Sequence, residues 1–240
     1  MPDSKLITIH NPKSPVAEAY RILRTNIQFS SLDKSLKTFL ITSSGPGEGK
    51  SVTTANLGAA FAQDGRRVII VDADLRKPRQ HRLFEQPKKT GLTNVLLGEA
   101  GIEEVLIDTG VPGLSLIVTG PIPPNPAELL GSQRMKQFLQ EIKGTADVAL
   151  IDSPPVVAVT DAAIMAAEVD GVLLVVAANA SRIDLARKGK ELLLNVKANV
   201  IGTVLNMVEE HGSDYYYYYY YGERKKKKKR GLENVPAASI

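Results

Sequence analysis

The chain of 240 residues contains no cysteine and no tryptophan, and it has only five phenylalanines. The lack of cysteine excludes disulfides and thiolate metal sites, and the scarcity of large aromatics predicts a core of Val, Leu, Ile and Ala. The longest apolar stretch, Val172–Ala178, is far shorter than the ~20 residues that cross a bilayer. Met1–His10 lacks the apolar part of a signal peptide. We therefore expect a soluble, cytoplasmic protein.

Positive charge is concentrated near the carboxyl end. The net charge is +4, and Arg224–Arg230 alone carries seven positive charges. The remainder of the chain is therefore near neutral or slightly acidic, and the basic isoelectric point is a property of that end. This distribution gives no reason to expect a nucleic-acid-binding core, so we expect no nucleic-acid partner.

Short apolar runs alternate with amphipathic segments along the chain. Runs such as Val68–Val71 are apolar throughout, which is typical of strands covered on both faces in a parallel sheet. Val16–Phe29 carries its apolar residues on one side, with Ser14 as N-cap. The predicted strands are 38–42, 67–71, 114–119, 148–151, 171–177 and 200–205. The predicted helices are 16–29, 51–63, 91–98, 102–106, 127–142, 161–168 and 184–195.

This alternation predicts the fold class and the division of the chain. We expect an α/β domain with an open, mostly parallel sheet flanked by helices, formed by residues 1–208. Residues 209–240 have a low-complexity composition and are expected to be a disordered tail.

Seven consecutive tyrosines are the most unusual feature of that tail. Adjacent phenols cannot all be buried in a strand or a helix, and an accessible, redundant run of hydroxyls is a good phosphate acceptor. The predicted acceptors are Tyr215, Tyr216, Tyr217, Tyr218, Tyr219, Tyr220 and Tyr221. The basic run that follows could bind an anionic membrane surface, bind the acidic site of a neighbouring chain, or only improve solubility.

A glycine-rich loop between a predicted strand and a predicted helix indicates a phosphate-binding P-loop. Its backbone N–H groups and the helix N-terminus would surround the phosphates of ATP. Lys50 should reach the β- and γ-phosphates, and the Ser51 hydroxyl should bind Mg²⁺. Ser44 stands where the general motif has its first glycine. The nucleotide-binding residues predicted here are Gly45, Pro46, Gly47, Glu48, Gly49, Lys50, Ser51 and Val52.

Acidic residues follow two of the predicted strands. Asp72 and Asp74 follow the second strand, and Asp152 ends the strand at 148–151. Carboxylates at the carboxyl ends of parallel strands face the ligand crevice of an open sheet. Beside a P-loop they would supply metal ligands and leave one carboxylate to handle a proton.

These motifs together resemble those of bacterial protein-tyrosine kinases of the polysaccharide-biosynthesis type, a branch of the P-loop ATPases related to MinD and ParA. The resemblance covers roughly residues 14–221 and includes the tail tyrosines. Its motifs are Pro-Gly-Glu-Gly-Lys-Ser (46–51), Asp-x-Asp-Leu-Arg-x-Pro (72–78), Pro-Pro-Asn-Pro-x-Glu-Leu-Leu (123–130) and Leu-Ile-Asp-Ser-Pro-Pro (150–155).

The resemblance implies a role for each site residue. Lys50 would act on phosphate, Asp74 and Asp152 would join Ser51 around Mg²⁺, and Asp72 would be the base toward the tyrosine hydroxyl. Asn206 resembles an adenine-contacting asparagine, although an ordinary strand-end asparagine fits the sequence nearly as well. Asp161 falls where the family often has an acid, and a helix N-cap is an equal alternative.

The resemblance also implies self-association. Glu18, Arg21 and Arg24 match the family's self-association motif on a predicted helix at 14–30, and their spacing places them on one stripe of that helix. The spacing alone would suit a surface salt-bridge pattern equally well. The implied assembly is a ring-like homo-oligomer in which the tail is phosphorylated in trans.

The implied function is an ATP-dependent protein-tyrosine kinase that regulates capsule or exopolysaccharide synthesis and export. The implied partners are a membrane polysaccharide co-polymerase as activator, protein tyrosine substrates and a cognate phosphotyrosine phosphatase, with recruitment to the inner face of the plasma membrane. The main alternative is a MinD- or ParA-like ATPase switch without kinase activity. Such switches usually have a second lysine at the start of the P-loop, and Thr42–Gly45 has none.

Overall fold

A computed structural model of the chain describes residues 6–30 and 36–208. In these residues, helices alternate with the strands of a seven-stranded sheet. The strands are β1 (Thr38–Ser43), β2 (Val68–Asp72), β3 (Ile107–Asp108), β4 (Leu114–Ile117), β5 (Val148–Asp152), β6 (Gly171–Ala177) and β7 (Val200–Asn206). The helices are α1 (Ile7–His10), α2 (Pro15–Ser30), α3 (Lys50–Ala62), α4 (Gln80–Leu83), α5 (Leu92–Leu97), α6 (Ile102–Val105), α7 (Pro126–Leu130), α8 (Gln133–Thr145), α9 (Asp161–Ala166) and α10 (Ile183–Asn195).

The sheet confirms the predicted fold class. Its strand order is β3-β4-β2-β5-β1-β6-β7, and every pair of neighbours is parallel except β3 with β4. All six predicted strands form. The antiparallel strand β3 was not predicted, because two residues are too short to show an alternating or apolar pattern.

The sheet carries one hydrophobic cluster on each face. Leu40 of β1 belongs to the cluster beneath α5, α8 and α9, whereas its neighbours Phe39 and Ile41 belong to the cluster beneath α2 and α3. Successive side chains of a strand point to opposite faces, so an uninterrupted apolar strand supplies both clusters. This explains why the central strands read as continuous apolar runs.

Of two local predictions about helices, one is confirmed and one is wrong. The predicted N-cap of α2 is confirmed, since the Ser14 hydroxyl accepts a hydrogen bond from the backbone N–H of Ala17 at 3.1 Å. The single helix predicted at 127–142 is wrong, because α7 ends before Gly131 and α8 begins after Ser132. Ser132 caps α8 by accepting from the backbone N–H of Met135, so the chain starts a new helix there.

The strand order places three predicted site segments at one edge of the sheet. Strand β5 lies between β1 and β2, and in its register with β2 Asp72 is opposite Asp152. Because these strands are parallel, their carboxyl ends meet at the same edge. The glycine-rich loop after β1 therefore lies beside the aspartates that end β2 and β5.

Within the described ranges, no helix is both long and apolar enough to cross a membrane. The predicted tail at 209–240, with its seven acceptor tyrosines and basic run, lies outside the described residues. The division at 208 therefore stays a prediction.

Candidate active site

The glycine-rich loop joins β1 to α3 in the way that the sequence predicts. Gly47 and Gly49 have φ of 81° and 86°, a left-handed conformation that costs glycine little and other residues more. At Gly49 a Cβ atom would also lie 2.0 Å from Asn206 Nδ2. Helix α3 begins directly after this residue, at Lys50, so its free N–H groups point into the loop.

Glu48 holds this loop together from within. Its buried carboxylate accepts hydrogen bonds from the Gly45 backbone N–H at 3.0 Å, from the Ser44 hydroxyl at 2.7 Å and from the Ser181 hydroxyl. Its backbone carbonyl accepts from Asn206 Nδ2 at 2.9 Å. The loop is thereby joined to the chain after β6 and to the end of β7. Asn206 is thus tied to the loop, whichever of its two predicted roles applies.

The remaining loop residues divide into exposed and covered positions. Pro46 and Gly47 at the tip are exposed, whereas Ser51 is buried and Val52 is half-buried in the first turn of α3. The Ser51 hydroxyl accepts a hydrogen bond from the Lys50 ammonium group at 3.3 Å. Lys50 and Ser51 thus lie side by side at the start of the helix.

Lys50 forms the centre of a buried charge cluster. Its ammonium group lies 2.9 Å from Asp74 Oδ2 and 3.2 Å from Asp152 Oδ1. Burial opposes the charge of the ammonium group, but the charges of Asp152 and Asp74 outweigh this effect and raise the pKa of Lys50. The lysine therefore stays charged and screens two buried carboxylates from each other.

Asp72 is buried beside this cluster and forms no ion pair with any residue that the structure describes. One of its carboxylate oxygens accepts from the backbone N–H groups of Arg79 at 3.0 Å and Gln80 at 2.9 Å. The other oxygen is buried and has no hydrogen-bond partner among the described residues. Burial, with the nearby charge of Asp152 adding to it, raises the pKa of Asp72 to about 8. The structure thus holds a carboxyl group that can keep a proton at neutral pH.

Gln80 links the aspartates to the phosphate loop, a role that was not predicted from the sequence. Its fully buried side-chain amide donates to Asp152 Oδ2 at 2.8 Å and to the Ser51 carbonyl at 3.0 Å. Its backbone N–H binds Asp72. Its side-chain oxygen is buried without a partner in the described part of the chain. Nothing in a single sequence marks a glutamine two residues after the 72–78 motif as a site residue.

Asp161 and Arg76 form a pair at the border of the site. The Asp161 carboxylate is fully buried and accepts two hydrogen bonds from the Arg76 guanidinium, both at 2.9 Å. Thr160, not Asp161, occupies the N-cap position of α9. The N-cap alternative for Asp161 is therefore wrong, and its carboxylate instead binds the arginine of the 72–78 motif.

The predicted self-association residues have different surroundings. Arg21 binds Glu18 on the same helix at 2.7 Å, as the spacing predicts. Arg24 instead turns toward α3, where it contacts the Ala60 carbonyl at 3.2 Å and Asp64 at 3.2 Å. Two of the three residues thus form a surface pair, and the third bridges two helices of one chain.

The site residues fit a magnesium-bound nucleotide. The described residues contain no group of three or more His, Cys, Asp or Glu arranged around a metal position. Mg²⁺ is commonly held by one or two carboxylates together with phosphates and waters. Asp74 and Asp152 would supply the carboxylates here, and Ser51 would add its hydroxyl. The buried oxygens of Asp72 and Gln80 that have no partner among the described residues lie in the same cluster, which is expected where a ligand would supply the partner.

Replacing Asp72 by asparagine is expected to stabilise the protein without metal or nucleotide. The pKa of about 8 lies above the ordinary 3.8, so the folded chain retains a proton that the unfolded chain releases between these values. Stability of the unaltered protein therefore falls as pH rises through this window. Asparagine keeps the acceptor for both backbone N–H groups and removes the titration.

The gain should grow from pH 5 to pH 8 and reach on the order of 4 kcal/mol, since each of these roughly three pH units corresponds to about 1.4 kcal/mol. Thermal unfolding in EDTA at several pH values measures it. Glu103→Gln removes an exposed acid and should leave the pH dependence unchanged. A pH-independent difference between Asp72→Asn and the unaltered protein would contradict the buried-proton explanation.

Comparisons with known proteins agree with this geometry. A family model described as "ParA: NUBPL iron-transfer P-loop NTPase" matches residues 35–236. Tyrosine-protein kinase YwqD of Bacillus subtilis (strain 168) is 43% identical over 201 residues, which cover 84% of this chain and 85% of that protein. The solved kinase domain of Escherichia coli tyrosine kinase ETK has a TM-score of 0.83 and 32% identity, covering 87% of this chain and 82% of that chain.

A more distant structure has the same fold. The septum site-determining protein MinD from Pyrococcus horikoshii OT3, complexed with Mg-ADP, has a TM-score of 0.60 at 23% identity, covering 70% of this chain and 69% of that chain. Cysteine thiolates are the usual ligands of iron–sulfur clusters, and this sequence has no cysteine. The resemblance stated from the motifs is confirmed: the chain belongs to the family of bacterial tyrosine-protein kinases, on the P-loop fold of ParA and MinD.

Proposed function

We propose that this protein is an ATP-dependent protein-tyrosine kinase and that Tyr215–Tyr221 of its own tail are its acceptors. The observation that carries the proposal is the meeting of Lys50, Asp72, Asp74 and Asp152 beside the glycine-rich loop. Phosphoryl transfer needs positioning and neutralisation of negative charge more than covalent chemistry. A phosphate-binding loop with a buried lysine and three carboxylates meets both needs.

In this proposal the loop amides and Lys50 bind the phosphates of ATP, while Ser51, Asp74 and Asp152 hold the magnesium ion. The ion supplies positive charge to the phosphates. Lys50 now lies between two carboxylates, so its positive charge becomes available to phosphate once a divalent cation binds them. The residues from Gly45 to Val52 and Asn206 surround the nucleotide, with Glu48 keeping the loop in shape.

Asp72 is the proposed base toward the tyrosine hydroxyl. It acts in its ionised form, which the charge of a magnesium ion held by Asp74 and Asp152 would favour against the burial that raises its pKa. Its unpaired oxygen is buried at the carboxyl end of β2, beside the other site carboxylates. An ordinary tyrosine has a pKa near 10 and keeps its proton at neutral pH, so a nearby acceptor favours the transfer. Because the transition state of phosphoryl transfer is loose, this base is asked to contribute less than the groups that bind phosphate.

The acceptors would reach an active site by way of the chain that follows β7. Tyr215 comes nine residues after Asn206, a distance of at most ~30 Å in extended chain. The site of the same chain and that of a neighbour in a ring are both compatible with this length. We propose transfer in trans within a ring-like homo-oligomer, with Glu18, Arg21 and Arg24 of α2 at the contact between subunits.

The proposal extends to the cellular setting. A membrane polysaccharide co-polymerase would activate the kinase at the inner face of the plasma membrane, and a phosphotyrosine phosphatase would reverse its action. The output would be control of capsule or exopolysaccharide synthesis and export, together with phosphorylation of other protein tyrosines. The family to which the chain belongs is what supports proposing these partners.

Intact mass after incubation with ATP and Mg²⁺ tests the proposed activity. Successive additions of phosphate, located on residues 215–221, are expected when the activating membrane protein is supplied. Release of ADP without any added phosphate would instead identify a MinD- or ParA-like ATPase switch. A chain with all seven tyrosines replaced by phenylalanine is the control for the location of the phosphate.

Transfer between molecules has its own test. We expect that a Lys50→Met chain, which keeps its tyrosines, gains phosphate when it is mixed with an active chain whose seven tyrosines are phenylalanine. The two chains differ in mass, so mass spectrometry reports phosphate on each separately. A Lys50→Met chain that stays unphosphorylated, while an active unaltered chain in the same buffer is phosphorylated, would exclude transfer in trans.

A further inference from the structure

The segment directly after the site aspartates is strongly basic. Residues 76–82, which we call the basic segment, contain four cations and no acid. Arg76, Lys77, Arg79 and Arg82 all have exposed side chains. Lys88 and Lys89 extend the positive charge, with Glu85 as the one acid between them and the basic segment. None of the roles described so far uses Lys77, Arg79 or Arg82.

The backbone of the basic segment is tied to the candidate catalytic carboxylates. The backbone N–H of Lys77 donates to Asp74 Oδ1 at 2.9 Å, and those of Arg79 and Gln80 donate to Asp72. These bonds hold the segment across the edge of the sheet where phosphate would be transferred. Its exposed cations therefore extend from backbone that is fixed next to the site carboxylates.

Three of these cations carry charge that no described residue neutralises. Arg76 is paired with the buried Asp161. Lys77, Arg79 and Arg82 have no ion pair within 4.0 Å in the part of the chain that the structure describes. Burial, followed by the charges of Arg82 and Lys88, lowers the pKa of His81, which is consistent with an excess of positive charge here.

An acceptor that already carries phosphate matches this surface. A phosphotyrosine has a charge of about −1.5 to −2 and three strong acceptor oxygens, and arginine binds such groups with two parallel hydrogen bonds. In an extended chain, residues two apart lie on the same side, roughly 6.6 Å from each other. A phosphate two positions from the reacting tyrosine would then lie beside the site, over the basic segment.

We propose that the basic segment binds phosphotyrosines already formed in the 215–221 run, so that a partly phosphorylated run returns to the site more readily than an unmodified one. This inference rests on the proposed function, since it needs the tyrosines of the run to be acceptors. An anionic lipid surface is the competing ligand for exposed cations. The anchoring of the segment to the site carboxylates favours the acceptor chain.

The test uses the full chain with Lys77→Gln and Arg82→Gln together. Both side chains lie outside the phosphate loop and the carboxylate cluster, so the first phosphate should be added at the unaltered rate within about twofold. Later additions should slow, and the singly phosphorylated form should accumulate at least threefold above its peak in the unaltered chain. Intact mass followed over time gives both quantities. Lys188→Gln with Lys190→Gln, two exposed lysines of α10, is the charge-matched control.

Each outcome decides one question. A normal first addition followed by an unchanged distribution of phosphates in the variant would overturn this inference and leave the proposed function intact. Absence of any phosphate on the tyrosines of the unaltered chain would overturn both. If the variant lost binding to vesicles of anionic lipid but kept the distribution of phosphates, the segment would be a lipid site and the inference would be wrong. Equal melting temperatures of the variant and the unaltered chain show that both are folded.

Discussion

Replacing Lys50 by methionine is expected to reduce tyrosine phosphorylation by a factor of about 100 to 1,000, the usual cost of removing one group that stabilises transition-state charge. Methionine fills a similar volume but removes the ammonium group that the loop presents to the phosphates. The rate of phosphate incorporation at saturating ATP and Mg²⁺, measured with the activating membrane protein present, tests this prediction.

The same substitution should also lower the stability of the protein in the absence of nucleotide, because Lys50 stabilises the buried charge cluster. Lys50 lies between Asp74 and Asp152, whose side chains are 5% and 0% exposed. Removing one partner of a buried ion pair costs about 3–5 kcal/mol, because the remaining charge is left uncompensated. We therefore expect a lower melting temperature for the metal-free Lys50→Met protein, with part of the loss recovered in Mg²⁺ because the ion can screen the two carboxylates.

Two controls separate catalysis from stability. Lys50→Arg keeps the positive charge, so it should retain more stability than Lys50→Met while losing most of the activity, since a planar guanidinium does not reproduce the ammonium contacts. Lys188→Met removes an exposed lysine of α10 and should change neither quantity. A Lys50→Met protein that phosphorylates its tyrosines at the normal rate would remove the lysine from the proposed mechanism.

Most of the site was predictable because its residues lie in short sequence motifs with known conformational requirements. The loop at 44–51 needs glycines at positive φ followed by a helix N-terminus, and these requirements are readable in a short sequence window. Asp72 and Asp152 end apolar strands, and parallel pairing of such strands is enough to bring their carboxyl ends to one edge. The order of the strands was not predictable in the same way, and it is this order that puts β5 between β1 and β2.

Contacts between distant segments were not predictable from one sequence. The spacing of Glu18, Arg21 and Arg24 suggests three equivalent surface residues, yet Arg24 pairs with Asp64 of the chain after α3. This pairing depends on how α2 packs on α3, which no local pattern encodes. The break between α7 and α8 is a different case, because Ser132 is a strong N-cap residue inside an otherwise helical pattern. The serine did indicate a new helix start, but the helical periodicity on both sides of it favoured a single helix.

The contacts of Gln80 make this residue the second candidate for a large effect. Its side-chain amide holds Asp152 and the Ser51 carbonyl, and its backbone holds Asp72. Residues that orient metal ligands typically contribute a factor of about 10 to 100 to activity or metal affinity. Gln80→Leu keeps approximately the volume and removes both side-chain donors, so we expect kcat to fall within that range.

A positioning role and a merely structural role of Gln80 predict different results. If Gln80 orients Asp152 for the magnesium ion, Gln80→Leu should raise the Mg²⁺ concentration needed for half-maximal activity, while binding of metal-free ATP changes little. Gln80→Glu should be more severe, because it adds a fourth carboxylate to a buried cluster with one lysine.

Gln86→Leu alters a nearby glutamine on the same connection that contributes no side-chain hydrogen bond to the site within the described residues, and it should behave like the unaltered chain. A lower melting temperature for Gln80→Leu with an unchanged dependence on Mg²⁺ would instead make the residue a support for the fold alone. The buried oxygen of Gln80 argues against that result, since a side chain kept only for packing gains nothing from a polar atom without a partner.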